Sequence, residues 1–187
     1  MPQRVVFLDR DGVLNTAFPD GETTRPPRSV AELELLPGVP EALSRLKEAG
    51  FALVVVTNQP DVARGKQTHA AVEAINAKLC EQLLLLDVFA CYHDNADKCA
   101  CRKPKPGLLL AAAAKWNLDL TSAVLIGDRW SDIAAAHAAG CRGVLIDTPF
   151  SQAERCSPDY LATDIIGAVD WILANTIEAN HVPGKVA

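Results

Sequence analysis

Five short apolar runs, each followed by a stretch of helical periodicity, constrain this chain more than any other feature. They are Val5 to Leu8, Ala52 to Val56, Val88 to Tyr92, Val124 to Ile126 and Val144 to Ile146. Runs apolar at every position, not at alternate ones, suit strands buried on both faces, and strands alternating with helices imply parallel βαβ units. The expected fold is α/β: a doubly wound, Rossmann-like parallel sheet with helices on both faces and no large cap domain.

The helix signals between the runs agree. Pro40 suits a first helical turn and Gly50 a helix end. Thr68 is a candidate N-cap, followed by an apolar stripe at Val72, Ile75, Leu79, Leu83 and Leu86. Pro106-Gly107 opens another helix, Ser131 and Gly140 bracket an alanine-rich one, and Ile165, Ile166, Val169, Ile172 and Leu173 mark a last one. Residues 1–176 are expected to form a single domain and 177–187 a disordered tail. The stretch from Asn15 to Arg28, with three prolines and a glycine, reads as an active-site loop, not a lid domain.

In an open parallel sheet, ligands bind beyond the carboxyl ends of the strands, so the residues just after each apolar run carry the functional information. After the first run stands Asp9-Arg10-Asp11-Gly12. Two carboxylates two positions apart can face the same way, Asp9 attacking phosphorus while Asp11 protonates the leaving oxygen. A carboxylate approaches a phosphate only if a cation offsets the repulsion, and magnesium suits oxygen ligands.

The second run ends at Thr57-Asn58-Gln59, offering a hydroxyl and backbone amides to a phosphoryl oxygen. Arg102-Lys103-Pro104-Lys105 brings three cations to a helix start, which matches phosphate. The fourth run ends at Gly127-Asp128, with Asp132 further on, and these carboxylates can complete a metal site. Singly, each fragment is an ordinary turn or cap; their joint order, one at each strand end, is what points to chemistry.

A second constellation, Cys91-Tyr92-His93 and Cys99-Ala100-Cys101, lies just before Lys103. Three thiolates and an imidazole match a closed structural zinc site, which would brace the loop carrying Lys103. The alternative is disulfides or unconnected thiols. Cys80, Cys141 and Cys156 have no matching partners and read as apolar fillers or free thiols. A formal charge of −5 supplies no basic field for a polyanion, so a small phosphorylated metabolite is expected as partner, with no nucleic acid and no membrane. The N-terminus carries no signal-peptide pattern, and the expected setting is a cytoplasmic monomer.

Asp9-Arg10-Asp11-Gly12, Thr57-Asn58-Gln59, Lys103 and Gly127-Asp128 together resemble the four motifs of the haloacid dehalogenase-like hydrolases, across nearly the whole chain. The resemblance implies that Asp9 is the nucleophile and that Asp11 acts as acid and then base. It also implies that Thr57 and Lys103 bind the phosphoryl group, and that Asp9, the Asp11 carbonyl and Asp128 hold magnesium, with Asp132 as an outer helper. It assigns Arg10 no part in the chemistry.

The Cys/His loop with Cys101-Arg102-Lys103-Pro104 resembles the capless histidinol-phosphate and heptose-bisphosphate phosphatases, and Gly50 to Lys66 is similar to the heptose group. That likeness implies removal of the 7-phosphate of D-glycero-D-manno-heptose 1,7-bisphosphate, with Arg64, Lys66 or Arg102 reading the distant phosphate. Histidinol phosphate, or a broad range of sugar phosphates, is the enzymatic alternative. A protein that binds a phosphometabolite without turnover is the non-enzymatic one.

Overall fold

The computed structural model describes residues 2–177, so the tail expected after 177 lies outside the described residues. Six parallel strands form one sheet in the order β5-β4-β1-β6-β7-β8. They are β1 (Gln3–Leu8), β4 (Ala52–Asn58), β5 (Asp87–Cys91), β6 (Leu118–Gly127), β7 (Arg142–Ile146) and β8 (Tyr160–Ala162). A two-stranded antiparallel hairpin, β2 (Phe18–Asp20) and β3 (Thr23–Arg25), stands apart from the sheet. The helices are α1 (Val39–Glu48), α2 (His69–Leu83), α3 (Gly107–Trp116), α4 (Trp130–Ala138) and α5 (Ile165–Ile177).

Alternation along the buried strands divides the core in two. Val6 and Leu8 of β1 pack with residues of α1, α2 and α5, while Val5 and Phe7 pack with residues of α3 and α4. Because both faces are covered, each central strand is apolar at every position, which is why the runs were visible in sequence. The chain winds from β1 outward through β4 to β5, then returns to lay β6 on the other side of β1. That reversal leaves a crevice at the carboxyl ends of β4, β1 and β6, the strands that precede Gln59, Asp9 and Asp128.

The helix boundaries follow local chemistry. Thr68 Oγ1 accepts from Ala71 N at 3.1 Å, capping α2. The same helix stops at Leu83, with Leu84 in a left-handed conformation. Leu86 therefore falls beyond it and is exposed, which corrects the expectation that it continues the buried stripe.

Two further features differ from the sequence expectation. β8 was missed because it is a three-residue edge strand whose Tyr160 and Leu161 are exposed, too short to show a period. β6 begins at Leu118, six residues before its apolar run: its polar start pairs with Gln3 and Arg4, and the register shifts before Val6.

Candidate active site and Cys/His loop

Asp9 directly follows β1, its amide bonded to Ile126 O at 2.9 Å. Its side chain sits beside those of Asp128 and Asp132, and each of the three buried residues can offer an oxygen within 4.8 Å of the others. Lys103 Nζ lies 2.8 Å from Asp9 Oδ1 and 2.5 Å from Asp132 Oδ1, and donates to Val56 O at 2.8 Å. Burial opposes the Lys103 charge, but the Asp132 and Asp9 carboxylates outweigh it and hold the ammonium above the ordinary lysine range.

Three carboxylates facing one ammonium leave negative charge in a poorly solvated place. Burial pushes Asp9 up to about 6, with Lys103 pulling it back and Asp132 adding to the rise. Burial also raises Asp128 well above the carboxylate range, reinforced by Asp9 and Asp132. Asp128 Oδ1 is buried without a hydrogen-bond partner, and a divalent cation bound by oxygen would answer both the charge and the orphaned atom. Two glycines make the cradle possible. Gly12, at φ 90°, turns under the Asp128 carboxylate, and Gly127 turns under the Asp132 side chain; a Cβ at either would collide with that side chain.

Asp11 is held differently. Asn15 Nδ2 donates to its Oδ1 at 2.9 Å, Gln59 Nε2 to its Oδ2 at 2.7 Å, and Arg10 reaches both oxygens. Gln59 also donates to Thr57 Oγ1 at 2.9 Å, so one buried amide ties the end of β4 to the loop after β1. Asn58 lines the cavity but spends both side-chain atoms on the backbone of Lys103, donating to its O at 3.0 Å and accepting from its N at 3.1 Å. Its side chain positions the lysine.

These residues open into a cavity of about 430 Å³, whose wall includes Arg25, Arg64, Lys66, Arg102 and Arg129. The cations are not equivalent. Arg25 is paired with Glu32 at 2.8 Å and Arg64 with Asp94, while Arg129 donates to Thr24 Oγ1 at 2.7 Å and lies 3.5 Å from Asp128. Among the described residues Arg102 bonds only neutral oxygens, Asn95 Oδ1 at 2.8 Å and His93 O at 3.4 Å. Lys66, also on the wall, has no hydrogen bond or ion pair through its ammonium among the described residues.

Sequence reasoning missed Gln59, Arg25, Arg129 and the hairpin residues Asp20, Thr23 and Thr24 as cavity or site residues. Gln59 was inside a quoted motif, and its amide next to Thr57 was the available signal. The hairpin residues lie within the stretch from Asn15 to Arg28 expected at the active site, but which of them reach the wall is set by tertiary folding.

The Cys/His cluster forms a compact set. Cys91, His93, Cys99 and Cys101 each offer an atom within 4.8 Å of the others. The sulfur separations are 3.1 Å for Cys91–Cys101, 3.4 Å for Cys99–Cys101 and 3.7 Å for Cys91–Cys99, and His93 Nδ1 lies 3.3 Å from Cys101 and 3.6 Å from Cys91. A disulfide needs sulfurs about 2 Å apart, and all six cysteines are free thiols. Zinc–sulfur bonds of about 2.3 Å put tetrahedral ligands about 3.8 Å apart, so the donor set is compatible with a shared tetrahedral ion. Lys105 Nζ donates to Lys98 O at 3.0 Å and to Cys99 O at 2.6 Å, tying the loop to the segment that carries Lys103.

Residues 25–140 match the family described as haloacid dehalogenase-like hydrolase. The chain belongs to this family. Among curated relatives, a D-glycero-D-manno-heptose-1,7-bisphosphate 7-phosphatase of Thermosynechococcus vestitus is 37% identical, the match covering 92% of this chain and 96% of that one. The D-glycero-beta-D-manno-heptose-1,7-bisphosphate 7-phosphatase of Escherichia coli K12 is also 37% identical, covering 90% and 87%. Among solved structures, D,D-heptose 1,7-bisphosphate phosphatase from Bordetella bronchiseptica, complexed with magnesium and phosphate, superposes with a TM-score of 0.79 at 30% identity, covering 92% of this chain and 99% of that one. This haloacid dehalogenase-like chain has the family's parallel sheet, with no cap evident among the described residues. Among the described residues no helix is long and apolar enough to cross a membrane.

Proposed function

We propose that this hydrolase is a magnesium-dependent phosphatase that removes the 7-phosphate of D-glycero-D-manno-heptose 1,7-bisphosphate through an aspartyl-phosphate at Asp9. The observation that carries the chemistry is the placement of Asp9 between the Lys103 ammonium, 2.8 Å away, and a carboxylate cluster open to the cavity. The substrate assignment rests on the curated relatives, which match over most of their own length.

Asp9 and Asp128 would hold magnesium with the backbone carbonyl of Asp11, Asp132 supporting Lys103 from behind. Magnesium supplies charge neutralisation on the phosphoryl oxygens. An Asp9 oxygen attacks phosphorus, the bond from phosphorus to the sugar oxygen breaks, and that oxygen takes the proton of Asp11. Asp11, now a carboxylate, takes a proton from a water that attacks the same phosphorus, and inorganic phosphate leaves with Asp9 restored. Lys103 and Thr57 hold the phosphoryl oxygens while charge shifts between them.

A bisphosphate carries a second anionic group that needs its own partner. Among the described residues, Arg102 and Lys66 are the wall cations whose charge no carboxylate offsets, and Arg102 presents a planar fork suited to phosphate. Arg64, held by Asp94, is the less available of the three candidates. The same unpaired cations would repel the ammonium of histidinol phosphate. A protein that only binds a phosphometabolite has no use for an Asp11 held within the site.

The test is phosphate release with magnesium from both anomers of the heptose bisphosphate, from histidinol phosphate and from simple sugar phosphates, with Asp9→Asn as control. The reading expects one bisphosphate to dominate and the control to be inactive. Equal slow rates across the panel would remove the heptose assignment, and no turnover at all would remove the phosphatase.

A further inference from the structure

Arg10 is completely buried, which is costly for a group that stays protonated under all ordinary conditions unless its charge and its donors are satisfied. Its one ion-pair partner among the described residues is Asp11, with Nη2 at 3.0 Å from Oδ2 and Nε at 3.2 Å and 3.3 Å from the two oxygens. The remaining arm, Nη1, donates to Asn76 Oδ1 at 2.7 Å in the middle of α2. Asn76 is itself buried, and its Nδ2 donates to Glu73 Oε1 at 3.4 Å. That oxygen also accepts from Tyr92 OH, and Tyr92 stands between Cys91 and His93 in the Cys/His loop.

An aspartate on a tight loop has two free torsions, and its two oxygens exchange by a half-turn. A guanidinium fork gripping both oxygens removes that freedom and fixes the carboxyl plane. The fork works only if the arginine is itself anchored, and here the anchor runs through α2 to the Cys/His loop.

We propose that Arg10 is a positioning residue for Asp11, fixed by the relay Asn76–Glu73–Tyr92, so that the loop placing Lys103 on one side of the phosphoryl site also orients the acid on the other. Arg10 touches no substrate; it acts through Asp11. The inference rests on the phosphatase reading of the site and adds a role that the motif resemblance did not assign.

The test uses the leaving group. An alkoxide departs only with a proton from the acid, whereas a nitrophenolate departs without one, so a defect confined to acid positioning affects a sugar phosphate and spares p-nitrophenyl phosphate. Arg10→Lys keeps the charge and loses the fork. It is expected to lower the ratio of kcat on the sugar bisphosphate to kcat on the aryl phosphate by about ten-fold or more. Combined with Asp11→Asn it should add little to the loss from Asp11→Asn alone, because both act at one step.

Tyr92→Phe removes one hydroxyl at a half-exposed position and should shift the ratio in the same direction by a smaller factor; it carries the test if Arg10→Lys does not fold. A ratio that stays within about two-fold in a folded variant, or losses that multiply in the double variant, overturn the proposal. If the unmodified protein hydrolyses neither ester, the phosphatase reading fails and takes this one with it. Turnover with an unchanged ratio removes the Arg10 role alone.

Discussion

The Asp9, Asp128 and Asp132 carboxylates are arranged for charge they do not contain. Asp9 binds its proton more tightly in the folded chain than in the unfolded one, rising from 3.8 to about 6 through burial, and Asp128 shifts the same way. For a carboxyl with a raised folded value, the stabilising contribution is present at low pH and is lost as pH rises between those two values. Metal-free protein should therefore melt at a lower temperature at about pH 7.5 than at about pH 5, and added magnesium should raise the melting point more at the higher pH. Thermal melts in chelator and in magnesium at both pH values check this; an equal magnesium effect at both would show that the carboxylates do not hold the ion. Arg102 belongs to the same scale. Arg102→Ala should raise KM for the bisphosphate by about ten-fold or more while changing a sugar monophosphate by less than about three-fold, if its charge reads the distant phosphate.

At the scale of elements, the Cys/His loop and the Lys103 segment behave as one unit. Cys101 stands two residues before Lys103, Asn58 clips the lysine backbone to the end of β4, and Lys105 stitches the segment to Lys98 and Cys99. Loss of the metal proposed for this loop should therefore be felt at the phosphoryl group. Cys101→Ser is expected to release about one equivalent of zinc on denaturation less than the unmodified protein and to lower kcat/KM by about ten- to a hundred-fold. Zinc content by elemental analysis, measured beside phosphate release, decides it; a zinc-free protein with full activity would leave the loop without a role in the site. The β2–β3 hairpin is the other element the site depends on. The stretch from Asn15 to Arg28 was legible as a loop at the site, since its prolines and glycine exclude a long strand or helix. That Phe18 pairs with Arg25, and that Thr24 takes a hydrogen bond from Arg129 105 residues away, was not legible. The first is a register between two short strands, and the second joins residues far apart in the chain.

For the whole molecule, the sheet sets the positions and the core holds the sheet. Phe7 is fully buried in the central strand, packed among residues of β4, β6, α3 and α4. Phe7→Ala should cost about 3–5 kcal/mol, read as a lower urea midpoint, while the folded fraction keeps its kcat because no site side chain is removed. A larger loss of kcat than of folded protein would mean that the core also tunes the strand ends. The runs of β1, β4 and β7, the Thr68 cap and the motifs at the ends of β1, β4 and β6 are local properties: they follow from periodicity, from capping chemistry and from residues adjacent in the chain, so the sequence alone determined them. Two local readings are corrected: Ser131 lies inside α4, whose N-cap is Arg129, and Lys103 stands not at a strand end but in the loop between β5 and α3. Leu86 and β8 were lost at this level because exposure, not composition, decides what a short segment does. Which cations stay unpaired, how Arg10 is buried onto Asp11, and how Asp128 comes over Gly12 depend on groups far apart in sequence. Charge pairing, burial and close approach are set by distance in space, and only the tertiary structure decided them.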